Sequence, residues 1–314
     1  MKSSRKKELK STVIIEVEDL VVEYKGVQVV DHVSFSVEEG EIFGMIGPNG
    51  AGKTTTIECI EGIRENYSGS IRVLGLNPKV DRKKLYNLIG VQLQETSYQD
   101  KIKVWEICKM FSSFYANPLP YESLLNDFGL YDKVNSYVSK LSGGQRQKLA
   151  IILALIANPK IIFLDELSTG LDPQARRSMW ELIKGLQKDG KTIYMTTHFM
   201  DEAEYLCNRI AIMDKGKVVA VDTVENLIKR FGLEEMVVFK ADELNLDEIE
   251  RIAGVTSLER RGSEVCVKGR EINFVNNILN YLGNNQIRYR DLKVIQPSLE
   301  DVFLKITAEK SEGM

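Results

Sequence analysis

Short strand-like runs, largely apolar or β-branched, recur through the first two-thirds of the chain. Gly40–Ile46, Ile161–Leu164 and Thr192–Thr197 are each too short for a typical helix and are bounded by turn residues or charge. That pattern predicts strands buried on both faces of a parallel sheet. Thr55–Ile60 and Gly144–Ala157 carry helical spacing instead, the second with Leu149, Ile152, Leu153 and Ile156 along one stripe. Asp31–Val37 alternates polar and apolar, so His32 reads as a solvent-facing strand residue. After Gly232 the pattern changes. Strand-like Met236–Lys240, helical Leu246–Ile252, strands Val255–Arg260 and Glu264–Lys268 around an Arg261-Gly262 turn, a helix over Asn273–Leu282 and a strand over Ile287–Val294 follow in turn. The order β-α-β-β-α-β predicts a small α+β domain of the ferredoxin-like type.

Chemistry enters where a predicted strand gives way to a predicted helix. Gly47-Pro48-Asn49-Gly50-Ala51-Gly52-Lys53-Thr54-Thr55 fits the phosphate-cradling pattern G-x-x-x-x-G-K-[ST] in that context. Gly47, Gly50 and Gly52 allow positive φ, so successive N–H groups point at phosphate oxygens and the following helix adds its positive end. Lys53 is then placed to reach the β and γ phosphates, and the Thr54 hydroxyl to coordinate Mg²⁺. The run at Ile161 ends in Asp165 and Glu166, the carboxyl end of a strand expected to face the nucleotide. Asp165 would hold Mg²⁺ through water, and Glu166 would polarise the water that attacks the γ phosphorus. His198 closes the third strand-like run beside them.

Together with Leu141-Ser142-Gly143-Gly144-Gln145 and the Ser168–Asp172 loop, these motifs make Ile14 to about Gly232 resemble the ATP-binding subunit of a bacterial ATP-binding cassette (ABC) transporter. The resemblance implies an α/β P-loop NTPase cassette over residues 13–232. It would comprise a RecA-like core, an antiparallel β subdomain and a helical subdomain at about 98–139. It further implies that Tyr24 stacks on adenine and that Lys53, Gln94, Glu166 and His198 form the catalytic set. Thr54, Gln94 and Asp165 would hold the metal; Gln92 stands close to Gln94, and the family spacing favours Gln94. Ser142, Gly143 and Gly144 head a helix whose N-terminus can bind an anion. They are implied to complete the ATP site of a second subunit, so that two cassettes meet head to tail; Gln145 and Asp172 are implied to be ATP-binding residues as well. A homodimer and a pair with a similar second gene product both fit. Leu167 stands where the family usually has proline, which predicts a slightly looser loop.

The closing Gln296–Lys305 looks like the tail of an accessory domain on cassettes of bacterial ABC-2-type exporters, including drug-export subunits. An accessory domain over 233–314 would either stabilise the cassette dimer or regulate it. The implied function is ATP hydrolysis, with ATP and Mg²⁺ bound at the dimer interface, driving export through a separate membrane permease. Cargo would not be bound directly by this chain. The alternative is a soluble cassette ATPase acting on the ribosome or nucleic acid; such relatives typically carry tandem cassettes, a coiled-coil insertion or zinc cysteines, none of which is visible here.

Composition narrows the setting. A formal net charge of −3 offers no overall attraction to nucleic acid. The longest apolar run, Leu149–Ala157, is shorter than the roughly 20 residues of a spanning helix. Residues 1–12 are basic without an apolar core, which predicts a disordered tail rather than a signal peptide, with contact to acidic lipid headgroups as the other reading. Cys59, Cys108, Cys207 and Cys266 are scattered and read as small buried hydrophobes. The expected location is the cytoplasmic face of the cell membrane.

Overall fold

A computed structural model describes residues 12–92, 101–271 and 273–311. Gln94 and residues 1–11 of the basic N-terminal stretch lie outside them. Contacts divide the chain into two compact units, the second beginning at Val224.

The first unit opens with an antiparallel sheet ordered β2-β1-β4, built from β1 (Val13–Tyr24), β2 (Val27–Glu38) and β4 (Ser68–Val73). Its buried positions, among them Ile15, Val17, Val33 and Val37, meet the underside of a six-stranded sheet through a stack of Phe35, Phe43 and Tyr194. That sheet takes the order β5-β6-β7-β3-β8-β9, from β5 (Ile89–Gln92), β6 (Ile161–Asp165), β7 (Thr192–Thr197), β3 (Ile42–Ile46), β8 (Arg209–Asp214) and β9 (Lys217–Asp222). All its pairings are parallel except β8 with β9. The apolar runs are apolar because β3, β6 and β7 are buried at every residue, covered on both faces.

Register decides where the chemistry lies. Ile46 pairs with Thr197, and Asp165 with Thr196. The residues that follow β3, β6 and β7 therefore emerge at one edge, the carboxyl ends of parallel strands, where α/β sheets hold their ligands.

The helices of this unit are α1 (Lys53–Ile60), α2 (Arg82–Leu85), α3 (Val104–Ser112), α4 (Tyr121–Asp127), α5 (Gly143–Leu155), α6 (Pro173–Lys188) and α7 (Met200–Leu206). Helices α3 and α4 form a helical subdomain against α5, sharing Val104, Ile107, Leu124, Leu125, Leu149 and Leu153 in one core. The expected single stripe on α5 is wider than predicted, because Leu149–Leu155 are buried all round, with β5 on one side and α3 and α4 on the other. At Gly90 the β5 and α5 backbones come so close that a Cβ would sit 2.3 Å from the Ala154 carbonyl oxygen.

The second unit contains α8 (Val224–Arg230), β10 (Glu235–Lys240), α9 (Leu246–Glu250), β11 (Val255–Arg261), β12 (Glu264–Gly269), α10 (Phe274–Asn284), β13 (Arg290–Ile295) and α11 (Leu299–Ser311). Its sheet runs β11-β12-β10-β13 with every pairing antiparallel, the ferredoxin-like order. Val237, Phe239, Val265 and Val267 pack against Phe274, Ile278 and Leu282 of α10. The unit starts with α8, upstream of Leu233, because α8 packs with α11 and Lys305 Nζ donates to the Phe231 carbonyl at 2.7 Å. The last strand begins at Arg290 rather than Ile287, after a left-handed turn at Gln286 and with the Ile287 side chain turned into the core.

No helix among the described residues is long and apolar enough to cross a membrane. All four cysteines are free; Cys59 and Cys108 are buried as expected, whereas Cys207 and Cys266 are only partly so.

Candidate functional site

The strand-loop-helix unit at Gly47 forms as the sequence predicts, with α1 starting at Lys53, inside the motif itself. Gly52 is the N-cap at φ 105°, and a Cβ there would lie 2.6 Å from the Val29 carbonyl oxygen, so no other residue fits. No side chain caps α1. Its first N–H groups thus face a cleft of about 370 Å³ lined by Val29, Asn49, Gly50, Gly52, Lys53, Thr54, Thr55 and Glu166. Within the loop, the Ala51 amide donates to the Pro48 carbonyl at 3.2 Å. Lys53 is only 4% exposed; its Nζ donates to the Gly47 and Pro48 carbonyls at 2.9 and 3.1 Å and lies 3.7 Å from Glu166 Oε1. Burial pulls its pKa below the usual lysine range, opposed by the charges of Glu166 and Asp165.

Asp165, at the end of β6, is buried, and burial raises its pKa. Hydrogen bonds from the Thr196 and Thr54 hydroxyls and the charge of Lys53 oppose that rise, the Thr196 bond most strongly. The Asp165 carboxylate and Thr54 hydroxyl are adjacent hard oxygen donors, which fits Mg²⁺, an ion that takes few protein ligands beside phosphate and water. Among the described residues no group of three or more His, Cys, Asp or Glu side chains could hold a metal by itself.

Glu166 has φ 49°, a left-handed conformation that costs a non-glycine residue on the order of 1–2 kcal/mol. Its amide donates to Thr196 O at 3.1 Å and Thr196 Oγ1 at 3.2 Å, which holds the residue in place. Its Oε1 lies 3.4 Å from His198 Nδ1. The pair makes no hydrogen bond, and Nδ1 is buried without a hydrogen-bond partner among the described residues. The His198 ring packs on Phe199 at 4.1 Å, and the Arg176 guanidinium sits over Phe199 at 4.2 Å.

A second cleft, of about 310 Å³, gathers Ser142, Gly144, Gln145, Lys148 and Asp172 and shares no lining residue with the first. Ser142 is the N-cap of α5: its Oγ accepts from the Gln145 amide at 3.3 Å, and Gln145 Oε1 accepts from the Ser142 amide at 2.9 Å. Gly143, the first residue of the helix, is exposed beside them. Asp172 caps α6 through the Gln174 and Ala175 amides at 3.0 and 2.9 Å. The residues expected around ATP thus fall into two separate places on one chain.

Tyr24 ends β1 and is 47% exposed. The Arg64 guanidinium covers one face of its ring at 4.8 Å and is fixed by Glu58 Oε2 at 2.8 and 3.0 Å. Neither Arg64 nor Thr196 stands out in the sequence: the first follows a helix as an ordinary charge, and the second continues a strand. The Leu167 side chain is fully buried and packs into the hydrophobic core.

Comparison with known proteins gives the family. Residues 30–169 match the family model "ABC transporter", and residues 223–307 match "ATP-binding protein DrrA1-3-like, C-terminal domain". The chain is 34% identical over 312 residues to the Nod factor export ATP-binding protein I of Rhizobium etli, covering 95% of this chain and 94% of that one. It is 30% identical over 306 residues to the linearmycin resistance ATP-binding protein LnrL of Bacillus subtilis, covering 94% and 98%. A solved dimeric ATP-binding cassette, in a post-hydrolysis state with ADP and phosphate, superposes with a TM-score of 0.61 at 25% identity over 67% of this chain and 98% of that one. The chain belongs to the ABC transporter family, as an ATP-binding, ATP-hydrolysing cassette joined to a DrrA-like C-terminal domain.

Proposed function

We propose that two copies of this cassette close head to tail around two Mg-ATP molecules and drive export through a separate membrane permease, with the chain at the cytoplasmic face of the membrane. The observation that carries this reading is the division of the ATP-binding residues between two clefts. The phosphate loop and Glu166 line one, with Asp165 hydrogen-bonded to Thr54 and His198 beside Glu166; Ser142, Gly144, Gln145 and Asp172 line the other and would serve the partner's nucleotide. A two-fold axis satisfies both clefts at once, which is the logic of an isologous dimer.

In the closed site Lys53 and the loop amides bind the phosphates, Tyr24 stacks on the base, and Thr54, Asp165 and Gln94 hold the metal. Mg²⁺ held there would supply positive charge that offsets the charge developing on the phosphates. Glu166 orients and polarises the attacking water, and His198 contacts the γ phosphate from the neighbouring strand end. An apolar groove of about 340 Å³ between β5 and the helical subdomain, lined in part by Tyr86, Val91, Gln92, Phe111 and Tyr115, is where a permease segment would seat. Export, rather than uptake, is favoured by the names of the full-length relatives.

The test is the Glu166→Gln chain. It is expected to bind ATP, lose turnover, and run as a dimer on size exclusion only with Mg-ATP. Recovered from detergent-solubilised native membranes, it should bring a multi-spanning protein in comparable amount. Wild-type turnover in this variant would remove Glu166 from its role, and recovery with ribosomal proteins would replace the transport reading with the soluble one.

A further inference from the structure

Glu202 lies on α7, four residues beyond His198, and is fully buried. Its Oε1 accepts a short hydrogen bond from the Ser168 hydroxyl and another, at 3.0 Å, from Trp180 Nε1. Oε2 is buried without a hydrogen-bond partner among the described residues. Three stretches therefore end on one oxygen: the loop two residues after Glu166, the helix α6 capped by Asp172, and the helix that follows His198.

Stability alone is a poor reason for a carboxylate at this place. Replacing buried charged groups with well-packed apolar ones is commonly neutral or stabilising. The backbone offers a better reason. Glu166 is held at φ 49°, and a left-handed non-glycine residue persists only where its surroundings over-determine it. On its amino side the amide is fixed by Thr196. On its carboxyl side, the first side-chain hydrogen bond into the body of the protein is that of Ser168, itself fully buried. The Trp180 ring stacks on Tyr205 of α7 at 5.1 Å, so α6 and α7 are already joined, and the carboxylate ties the Glu166 loop to both.

We propose that Glu202 is a positioning residue for ATP hydrolysis: through Ser168 it sets the aim of Glu166, and through Trp180 it keeps the Asp172 end of α6 in step with that aim. The inference rests on the proposed role of Glu166, and the experiment separates the two. Four variants of the full chain are compared with wild type for steady-state kcat and KM, Mg-ATP affinity by calorimetry, and Tm: Glu166→Gln, Ser168→Ala, Glu202→Ala and Glu202→Gln.

Ser168→Ala and Glu202→Ala are expected to lower kcat by about 10-fold or more, the cost of one charge-assisted hydrogen bond expressed at the reacting centre, with KM and affinity within about 2-fold. Glu202→Gln keeps a carbonyl oxygen that accepts from both donors, and its kcat should return to within about 3-fold of wild type. A Ser168→Ala kcat within 2-fold of wild type overturns the proposal, as does a Glu202→Gln chain as slow as Glu202→Ala. A kcat loss that only tracks falling affinity and Tm would mark the cluster as structural and likewise overturn it. If Glu202→Ala does not fold, Ser168→Ala, which removes one hydroxyl, decides alone. Unimpaired turnover in Glu166→Gln would instead overturn the reading of Glu166, whatever the other variants do.

Discussion

Thr196→Val isolates the bond that orients the buried carboxylate of Asp165. Thr196 is fully buried, and its hydroxyl donates to Asp165 Oδ1 while accepting from the Glu166 amide. Valine keeps the shape and removes both contacts. The Glu166 amide keeps the Thr196 carbonyl at 3.1 Å, so no N–H is orphaned, and Asp165 keeps Thr54. The loss is then one hydrogen bond to a charged group, about 2 kcal/mol, or about 4–8 °C in Tm for a unit of roughly 200 residues. The larger effect falls on the metal. Residues that orient a ligating carboxylate typically govern about 10–100-fold in metal affinity. The half-saturating Mg²⁺ concentration for ATP hydrolysis should rise at least about 10-fold, while ATP binding measured in EDTA stays unchanged. Thermal melts and a Mg²⁺ titration of turnover are sufficient. An unchanged Mg²⁺ requirement in a folded variant would show that Thr196 does not orient Asp165 for the ion.

Other substitutions test neighbouring features. Glu61 is buried, its Oε1 without a hydrogen-bond partner among the described residues, and burial raises its pKa well above the carboxylate range, aided by Asp165 and Glu58. The folded state therefore keeps a proton that the unfolded chain releases, so stability falls as pH climbs above the ordinary carboxylate range. Glu61→Gln lacks that slope, and its Tm relative to wild type should be higher at pH 8 than at pH 5; an equal difference at both pH values refutes the assignment. Arg64→Met removes the cation behind Tyr24 and should weaken ATP binding by about 2- to 10-fold in calorimetry with saturated kcat within about 2-fold, since the platform is less ordered but the phosphate site is untouched. Gly90→Ala forces a methyl against the Ala154 carbonyl, and separating β5 from α5 should cost about 3 kcal/mol in urea unfolding; a cost below 1 kcal/mol would contradict the close approach.

The fold was legible where a single period dominated. Fully buried β3, β6 and β7 were legible because strands covered on both faces are mostly apolar or β-branched over a short run, and flanking turn residues set their ends. The β10–β13 unit was legible from order alone, since β-α-β-β-α-β with short hairpin connections leaves few topologies. Ends were less so. The strand β13 starts late because Ile287 packs inward before the strand is joined, a tertiary effect with no local mark. The same limit applies at the site. Lys53, Asp165 and Glu166 follow from spacing, whereas Thr196, Ser168, Trp180 and Glu202 act through partners 22 to 34 positions away in sequence. A threonine in a buried strand with two others carries no sign of the carboxylate it will meet.

That asymmetry has a physical origin in how the two clefts are built. A phosphate loop needs its glycines and lysine in one local stretch, because consecutive amides must converge on one anion. Its signal is necessarily compact. The Ser142 cleft is likewise local, a capped helix end: Ser142 and Gln145 bind each other and Asp172 caps its own helix, so these side chains already have a structural use. In the proposed head-to-tail pair a second subunit would add a γ phosphate for the α5 N-terminus, a ligand favoured by the same amides and dipole that the capping box leaves oriented outward. A residue that only caps would tolerate threonine, asparagine or aspartate at position 142. A residue that also receives the partner's phosphate would not tolerate added negative charge. Ser142→Asp therefore separates the uses: it should preserve α5 and the Tm within about 2 °C, since aspartate caps as well as serine, yet abolish the Mg-ATP-dependent dimer of the Glu166→Gln chain by placing like charge against the phosphate. A Ser142→Asp, Glu166→Gln chain that still dimerises with Mg-ATP would refute the head-to-tail arrangement while leaving the phosphate loop's own role intact.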